Sequence, residues 1–262
     1  MPPTDSDTLR TQSQAHYDRY PFSFDQEEIL YEKLYHRLMG DAILGIASSE
    51  AKILDIGSGS CRVARMVRES KQLQVISLDL SLATLRRATS HNSAPMVNGD
   101  NMHLPFRSNC ADLVLSNGVI HHTPDPRASF NELARVTKPG GILVISVYNR
   151  YCWYNFVYRY IGAIVRALRK LIGDRGLRLT VFPLFHVSAV FMLSFSTRKR
   201  FILPLGTSWN LFHDQLTTPQ CTFHTFEEIC AWAKAANLEC VEKREEAARQ
   251  LLSFKLRKLG EK

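Results

Sequence analysis

None of the six cysteines (Cys61, Cys110, Cys152, Cys221, Cys230, Cys240) forms a C-x-x-C pair or falls at zinc-ligand spacing. That excludes a legible disulfide framework or structural metal and suits a reducing cytosol. The opening Met1-Pro-Pro-Thr-Asp-Ser6 lacks the charged-then-apolar pattern of a secretory leader. No apolar run reaches the ~20 residues that a spanning helix needs. The expectation is a cytoplasmic protein, with a peripheral membrane contact still open. Acids are scarce in one stretch. Residues 150–200 hold ten basic side chains (Arg150, Arg159, Arg166, Arg169, Lys170, Arg175, Arg178, Arg198, Lys199, Arg200) against a single acid, Asp174. The formal charge of +8 is concentrated there, so an anionic small molecule, a nucleic acid or a membrane surface is expected to meet it.

With 262 residues, 45% of them apolar and 22% charged, the chain can bury an ordinary core and still carry a substantial insertion. Residues 52–148 alternate short β-branched apolar runs with amphipathic segments, the pattern of successive βαβ units and a doubly wound parallel sheet. Strands are predicted near 52–56, 74–79, 94–98, 111–116 and 142–148. Helices fall near 60–69, 81–90 and 126–137, the last stopped by Pro139-Gly140-Gly141. Upstream, Ser23-Phe-Asp-Gln26 reads as a capping box, followed by Ile29, Leu30, Leu34 and Leu38 at helical spacing, with Gly40 interrupting. Downstream, Phe226–Ala236 reads as an amphipathic helix, and Glu239–Glu245 and Gln250–Leu256 as two last strands. The division expected is 1–50, an N-terminal helical lid; 51–148, a nucleotide-binding core; 149–215, a basic, aromatic insertion after the fifth strand; and 216–262, the end of the core.

Chemistry concentrates at the strand ends. Lys52-Ile-Leu-Asp-Ile56 runs directly into Gly57-Ser-Gly59-Ser-Cys-Arg62, a turn whose glycines let backbone amides approach a ligand. Twenty residues on, Asp79 ends the second strand, where an acid can accept from both hydroxyls of a ribose. Asp100 follows the third strand; its carboxylate can accept from an adenine amino group, with Asn101 offering an amide to the ring. Asp55, Asp79 and Asp100 all lie at or near carboxyl ends of strands, where open α/β sheets bind ligands. A nicotinamide enzyme shares this layout, but the third glycine of G-x-G-x-x-G would fall on Arg62 and no Tyr-x-x-x-Lys pair is present.

On these residues the chain resembles the class I S-adenosylmethionine-dependent methyltransferases, in a type 11-like, small-molecule branch. Ile53-Leu-Asp-Ile-Gly-Ser-Gly59, Leu78-Asp79-Leu-Ser81, Gly99-Asp100-Asn-Met-His-Leu-Pro-Phe106, Asp112-Leu-Val-Leu-Ser-Asn117 with Val119-Ile-His-His122, and Val136-Thr-Lys-Pro-Gly-Gly-Ile142 are similar to its successive motifs. Cys61 departs from the family, which usually has a third glycine there. The resemblance implies a Rossmann-like seven-stranded sheet with its last strand antiparallel, and S-adenosyl-L-methionine as cofactor. It places Asp55, Gly57, Ser58 and Gly59 along the methionine portion and Asp79 and Leu80 at the ribose. Asp100, Asn101 and Met102 would serve adenine, Ser116 and Asn117 would border the methyl group, and Tyr17 would act as a lid contact.

The implied reaction is in-line displacement of the methyl group onto a hydrophobic or anionic small molecule, lipid-like in one version. Positioning dominates such a transfer. If a base takes part, His121 and His122 are the candidates, and strand geometry allows at most one of them to face the cleft. They make a poor metal pair, and no metal is expected. His213, Asp214 and His224 lie where the insertion rejoins the core, and Tyr20 lies with Tyr17 in the aromatic N-terminal stretch His16-Tyr-Asp-Arg-Tyr-Pro-Phe22. The insertion, with Tyr151, Trp153, Tyr154, Phe156, Tyr158 and Tyr160 before an apolar run from Phe182 to Phe195, reads as a cap, an interfacial membrane element, a homodimer surface or ordinary core with a solvated basic face. Methylation of tRNA is an alternative, since Val119-Ile-His-His122 also resembles wobble-uridine methylases. A catalytically silent cofactor-binding subunit is another.

Overall fold

The computed structural model describes residues 5–21, 37–46, 48, 50–71, 73, 75–89, 95–197, 202–246 and 249–260. Two compact units are present, one comprising 1–152 with 219–262 and the other 153–218.

The first unit opens with helices α1 (Asp5–Arg19) and α2 (Arg37–Leu44). It continues with β1 (Ile53–Ile56), α3 (Arg62–Lys71), β2 (Val75–Asp79), α4 (Leu82–Ala88), β3 (Met96–Asn98), β4 (Ala111–Asn117), α5 (Pro126–Val136) and β5 (Thr137–Tyr148). Helices α6 to α9 belong to the second unit; α10 (Phe226–Ala235), β6 (Leu238–Glu246) and β7 (Leu251–Lys258) complete the first. The seven strands lie in the order β3-β2-β1-β4-β5-β7-β6. Neighbours from β3 through β5 pair in parallel, and β7 runs antiparallel to both β5 and β6. The chain steps from β1 to β2 and β3 on one side and then to β4 on the other, so a topological switch point falls between β1 and β4.

Every residue of β1 is buried, as expected of a central strand covered on both faces. One face packs Leu54, Ile56, Val114 and Ile145 against Phe130 and Leu133 of α5 and Ile229 and Trp232 of α10. The other packs Ile53, Leu113 and Leu115 against Met39 and Ile43 of α2, Val63 and Val67 of α3, and Leu85 of α4. Local caps set the helix starts. Ser81 Oγ accepts from Thr84 N, Asp125 precedes Pro126 and accepts from Ala128 N, and Thr225 accepts from Glu228 N.

Two sequence expectations need correction. Helix α2 runs through Gly40 instead of stopping there; burial of Met39, Ala42 and Ile43 outweighs the ~1 kcal/mol that a mid-helix glycine costs. Strand β5 begins at Thr137, not at 142, because Thr137 pairs with Ala111 and Ile142 with Leu113, and Lys138–Gly141 bulge between these two pairings. Pro139, which has no N–H to give the ladder, sits in that bulge. Helix α1 has no apolar period and was not individually legible. The capping box at 23–26 and the apolar positions 29, 30 and 34 lie outside the described residues.

The second unit contains α6 (Trp153–Phe156), a π turn (Val157–Ile161), α7 (Gly162–Thr180), α8 (Phe182–Thr197) and α9 (Leu205–Leu216). Its small core gathers Val165, Leu177, Phe182, Phe212 and Leu216. Tyr154 and Tyr158 donate their hydroxyls to the carbonyls of Gln215 and Thr218, closing the unit's ends on each other.

Candidate active site

The turn after β1 is shaped by steric necessity. Gly57 takes φ +74°, and a Cβ there would stand 2.4 Å from both methyls of Val119. Its amide and that of Ser58 both donate to Leu78 O, at 2.7 and 2.9 Å. Cys61, where the resemblance leads one to expect glycine, adopts φ +58° and is wholly buried. The loop thus keeps a glycine-like backbone without the glycine.

Asp79 joins two turns. Its Oδ2 accepts from Gly59 N at 2.9 Å and its Oδ1 from Ser81 N at 2.8 Å. Burial pushes this carboxyl above its ordinary range, the Ser81 and Gly59 amides oppose that rise, and the nearby Asp18 carboxylate adds to it. Asp55, on the adjacent strand, is buried, and Leu80 is half-buried beside Asp79.

At the end of β3, Asp100 Oδ1 accepts from Met102 N at 2.9 Å and its Oδ2 faces Arg10 Nε at 2.8 Å. Asn101 is buried, and its Oδ1 meets no hydrogen-bond donor among the described residues. The following loop is pinned from α5. Glu132 accepts from Leu104 N and pairs with Arg135, which donates to the carbonyls of Leu104 and Phe106.

Beyond β4, Ser116 is fully buried and Asn117 Oδ1 accepts a short hydrogen bond from Ser146 Oγ. A small cavity there is lined by Met39, Asn117, Ser146, Glu246 and Ser253. The two histidines part ways in the 3-10 turn that follows (Ile120–His122). His121 is fully buried, with ring centroids 4.0 Å from Tyr148 and 4.3 Å from His122. Burial, reinforced by His122 and His224, holds its imidazole well below the usual range, hence neutral. His122 is half-exposed and places Nδ1 3.0 Å from Gln220 O. Since a carbonyl only accepts, that nitrogen carries the proton and the lone pair resides on Nε2.

Helix α1 ties these ends together. Arg10 reaches Asp100, Asp18 accepts from Ser81 Oγ at 2.7 Å, and the Tyr17 ring stands edge-on to His122 at 6.1 Å. Sequence reasoning named Tyr17 but missed Arg10, Asp18 and Gln220. All three act across long sequence separations, and no local pattern marks them. His224 belongs to the same unit, between Thr222 Oγ1 and Glu228, and burial lowers its pKa despite Glu228. His213 and Asp214 belong to the second unit, where His213 Nδ1 meets Thr217 Oγ1 at 2.7 Å. No cluster of potential metal ligands occurs among the described residues.

Residues 54–145 match the family model described as a methyltransferase domain. The chain is 36% identical over 117 residues to a demethylmenaquinone methyltransferase of Corynebacterium urealyticum, covering 45% of this chain and 50% of that protein. It is 31% identical over 143 residues to a malonyl-[acyl-carrier protein] O-methyltransferase of Serratia marcescens, covering 54% of each. These alignments span about half the length of those relatives. In fold it is similar to a chain in the Haloferax volcanii complex between the Trm112 methyltransferase activator and a methyltransferase, with TM-score 0.58, 15% identity, and coverage of 96% of this chain and 98% of that one. It is likewise similar to an S-adenosylmethionine-dependent methyltransferase of Thermotoga maritima, with TM-score 0.55, 14% identity, and coverage of 94% and 99%.

Proposed function

We propose that this chain, whose residues 54–145 match a methyltransferase domain, is a class I S-adenosylmethionine-dependent methyltransferase that transfers a methyl group to a hydrophobic or anionic small molecule. The observation that carries this reading is the placement of Asp79, whose carboxylate is oriented by amides of both the glycine turn and the β2–α4 turn. A rigid acceptor at that point suits a ribose diol. Asn101, buried with its carbonyl oxygen unmet among the described residues, fits a polar ring edge beside Asp100.

In this reading Asp55, Gly57, Ser58 and Gly59 follow the methionine portion, while Asp79 and Leu80 take the ribose. Asp100, Asn101 and Met102 serve adenine, Ser116 and Asn117 border the reacting end, and Tyr17 covers it. Bound S-adenosylmethionine supplies a methyl group already activated on a sulfonium. The chain's task is then to orient the acceptor, exclude water and receive a proton. His122 receives it at Nε2, with Gln220 O fixing the tautomer, and buried His121 packs behind it. Relatives named as a demethylmenaquinone methyltransferase and a malonyl-[acyl-carrier protein] O-methyltransferase support a lipid-like or acyl acceptor.

Calorimetry with S-adenosylhomocysteine tests the reading. Wild type should bind, and Asp79→Ala should weaken binding about 100-fold, the loss of roughly two charge-assisted hydrogen bonds. Asp79→Asn, which keeps the shape, should fall between. No binding by wild type, together with undiminished turnover in Asp79→Ala, would overturn the proposal. Labelled methyl groups recovered in tRNA would redirect the acceptor to RNA, and no labelled product in any extract fraction would leave a silent binding subunit.

A further inference from the structure

Fifteen of the nineteen exposed large apolar side chains among the described residues lie in the second unit, an excess far beyond the scattered apolar residues of an ordinary surface. They form stripes. Phe156, Tyr160, Ile164 and Leu171 recur at near-helical spacing through α6, the π turn and α7, and Leu184, Val187, Phe191 and Phe195 recur along α8. Leu171 is 80% exposed and Phe195 79%. The opposite sides are accounted for, since Val165, Leu177 and Phe182 fill the unit's own core. Among the described residues the outward stripes have no such partner.

Charge identifies what covers them. Residues 153–218 contain nine Lys/Arg and two Asp, and so hold seven of the eight net positive charges of the chain. Exposed Arg159, Lys170 and Arg178 each precede an exposed apolar residue, Tyr160, Leu171 and Leu179. One position is about 100° of helix rotation, so the cations flank the stripe, where their alkyl stems can lie along apolar surface while the heads stay wet. Trp153 and Tyr160 add rings of the type enriched at the headgroup level of membranes.

No single described helix is long and apolar enough to cross a membrane, and α7 passes into α8 through a bend of 50°. Spanning would also carry Lys170, Arg175 and Arg178 into hydrocarbon. We propose that the second unit binds an anionic phospholipid surface, its apolar stripes lying in the interface and its flanking cations among the headgroups. A second copy of the chain would bring like charge against like, and RNA offers nothing to bury Leu184, Val187, Phe191 and Phe195. This surface is independent of the methyl-transfer reading.

Flotation with vesicles tests it on the full chain. Binding is expected to phosphatidylcholine vesicles containing phosphatidylglycerol and to be at least about tenfold weaker to phosphatidylcholine alone. Leu171→Ser with Phe195→Ser should weaken binding about tenfold or more, as should Lys170→Glu with Arg175→Glu, with thermal melting unchanged because all four side chains are exposed. Should a variant misfold, quenching of tryptophan fluorescence in the unaltered protein by brominated phospholipid gives the same answer. Absence of binding to anionic vesicles at low salt overturns the proposal. So does equal binding to neutral vesicles, or a dimer that dissociates only in Leu171→Ser/Phe195→Ser. S-adenosylhomocysteine binding, measured alongside, is expected to be unaffected and separates failure of this surface from failure of the cofactor site.

Discussion

Arg10 Nε stands 2.8 Å from Asp100 Oδ2, so a helix with no apolar period of its own is tied by an ion pair to the turn after β3. Arg10 is partly exposed, and such a pair contributes about 0.5–1 kcal/mol. Arg10→Ala should therefore raise amide hydrogen exchange over residues 5–19 about two- to fivefold, with exchange in β1 and β4 unaltered. Equal exchange in mutant and wild type would show that Asp18 and Ser81 hold the helix without it.

The two adjacent histidines should respond differently to substitution. His122→Gln removes the nitrogen proposed to take the acceptor's proton, and kcat should fall about 10²-fold or more, with stability kept. His121→Ala instead empties a fully buried site and should cost about 2–4 kcal/mol of unfolding free energy, measured by urea titration. A His122 variant with normal turnover would remove the base from the mechanism and leave positioning alone.

Glu132 gives a pH signature. Its hydrogen bond and ion pair with Arg135 and the Leu104 amide hold its carboxyl below the ordinary glutamate range against the opposing effect of burial. Its contribution is thus complete above that range and fades as pH falls through the lower folded-state value. Wild type should exceed Glu132→Gln by about 1 kcal/mol at neutral pH, and the difference should vanish in acid. A gap constant with pH would refute this account.

Two positions in one loop make a contrast. Cys61→Gly relieves about 1–2 kcal/mol of left-handed strain while losing a buried side chain and gaining backbone freedom. Its stability should lie within about 1 kcal/mol of wild type. Gly57→Ala places a methyl on the Val119 side chain at positive φ and should abolish cofactor binding. Calorimetric melting and ligand titration of both variants check the pair.

The doubly wound core was legible because its signals are local: β-branched runs, glycine turns and acids at fixed offsets. The structure accordingly brings Gly59 to Asp79 directly. What was illegible acts over distance. Gln220 meets His122 from 98 positions away, and Asp18 meets Ser81 from 63. The start of β5 was misplaced for a different reason. Pro139-Gly140-Gly141 carries the usual chemistry of a stop, yet pairing on either side resumes through a bulge that only the partner strand reveals. Helix α1 escaped because it has no apolar period, and its described anchors, the Arg10–Asp100 ion pair and the Ser81–Asp18 hydrogen bond, join residues far apart in sequence.

At the neck of the excursion after β5, the outgoing and returning segments are laced together, Arg150 N donating to His224 O and His224 N to Tyr148 O, both at 2.8 Å, while Thr222 N donates to His121 O in the turn after β4. These bonds close the first unit on itself at the point where 153–218 departs. Excising 153–218 and joining the cut ends with a short glycine-serine tether should leave the β5–β7 pairing whole, making this neck a natural seam at which descendants could exchange one appendage for another.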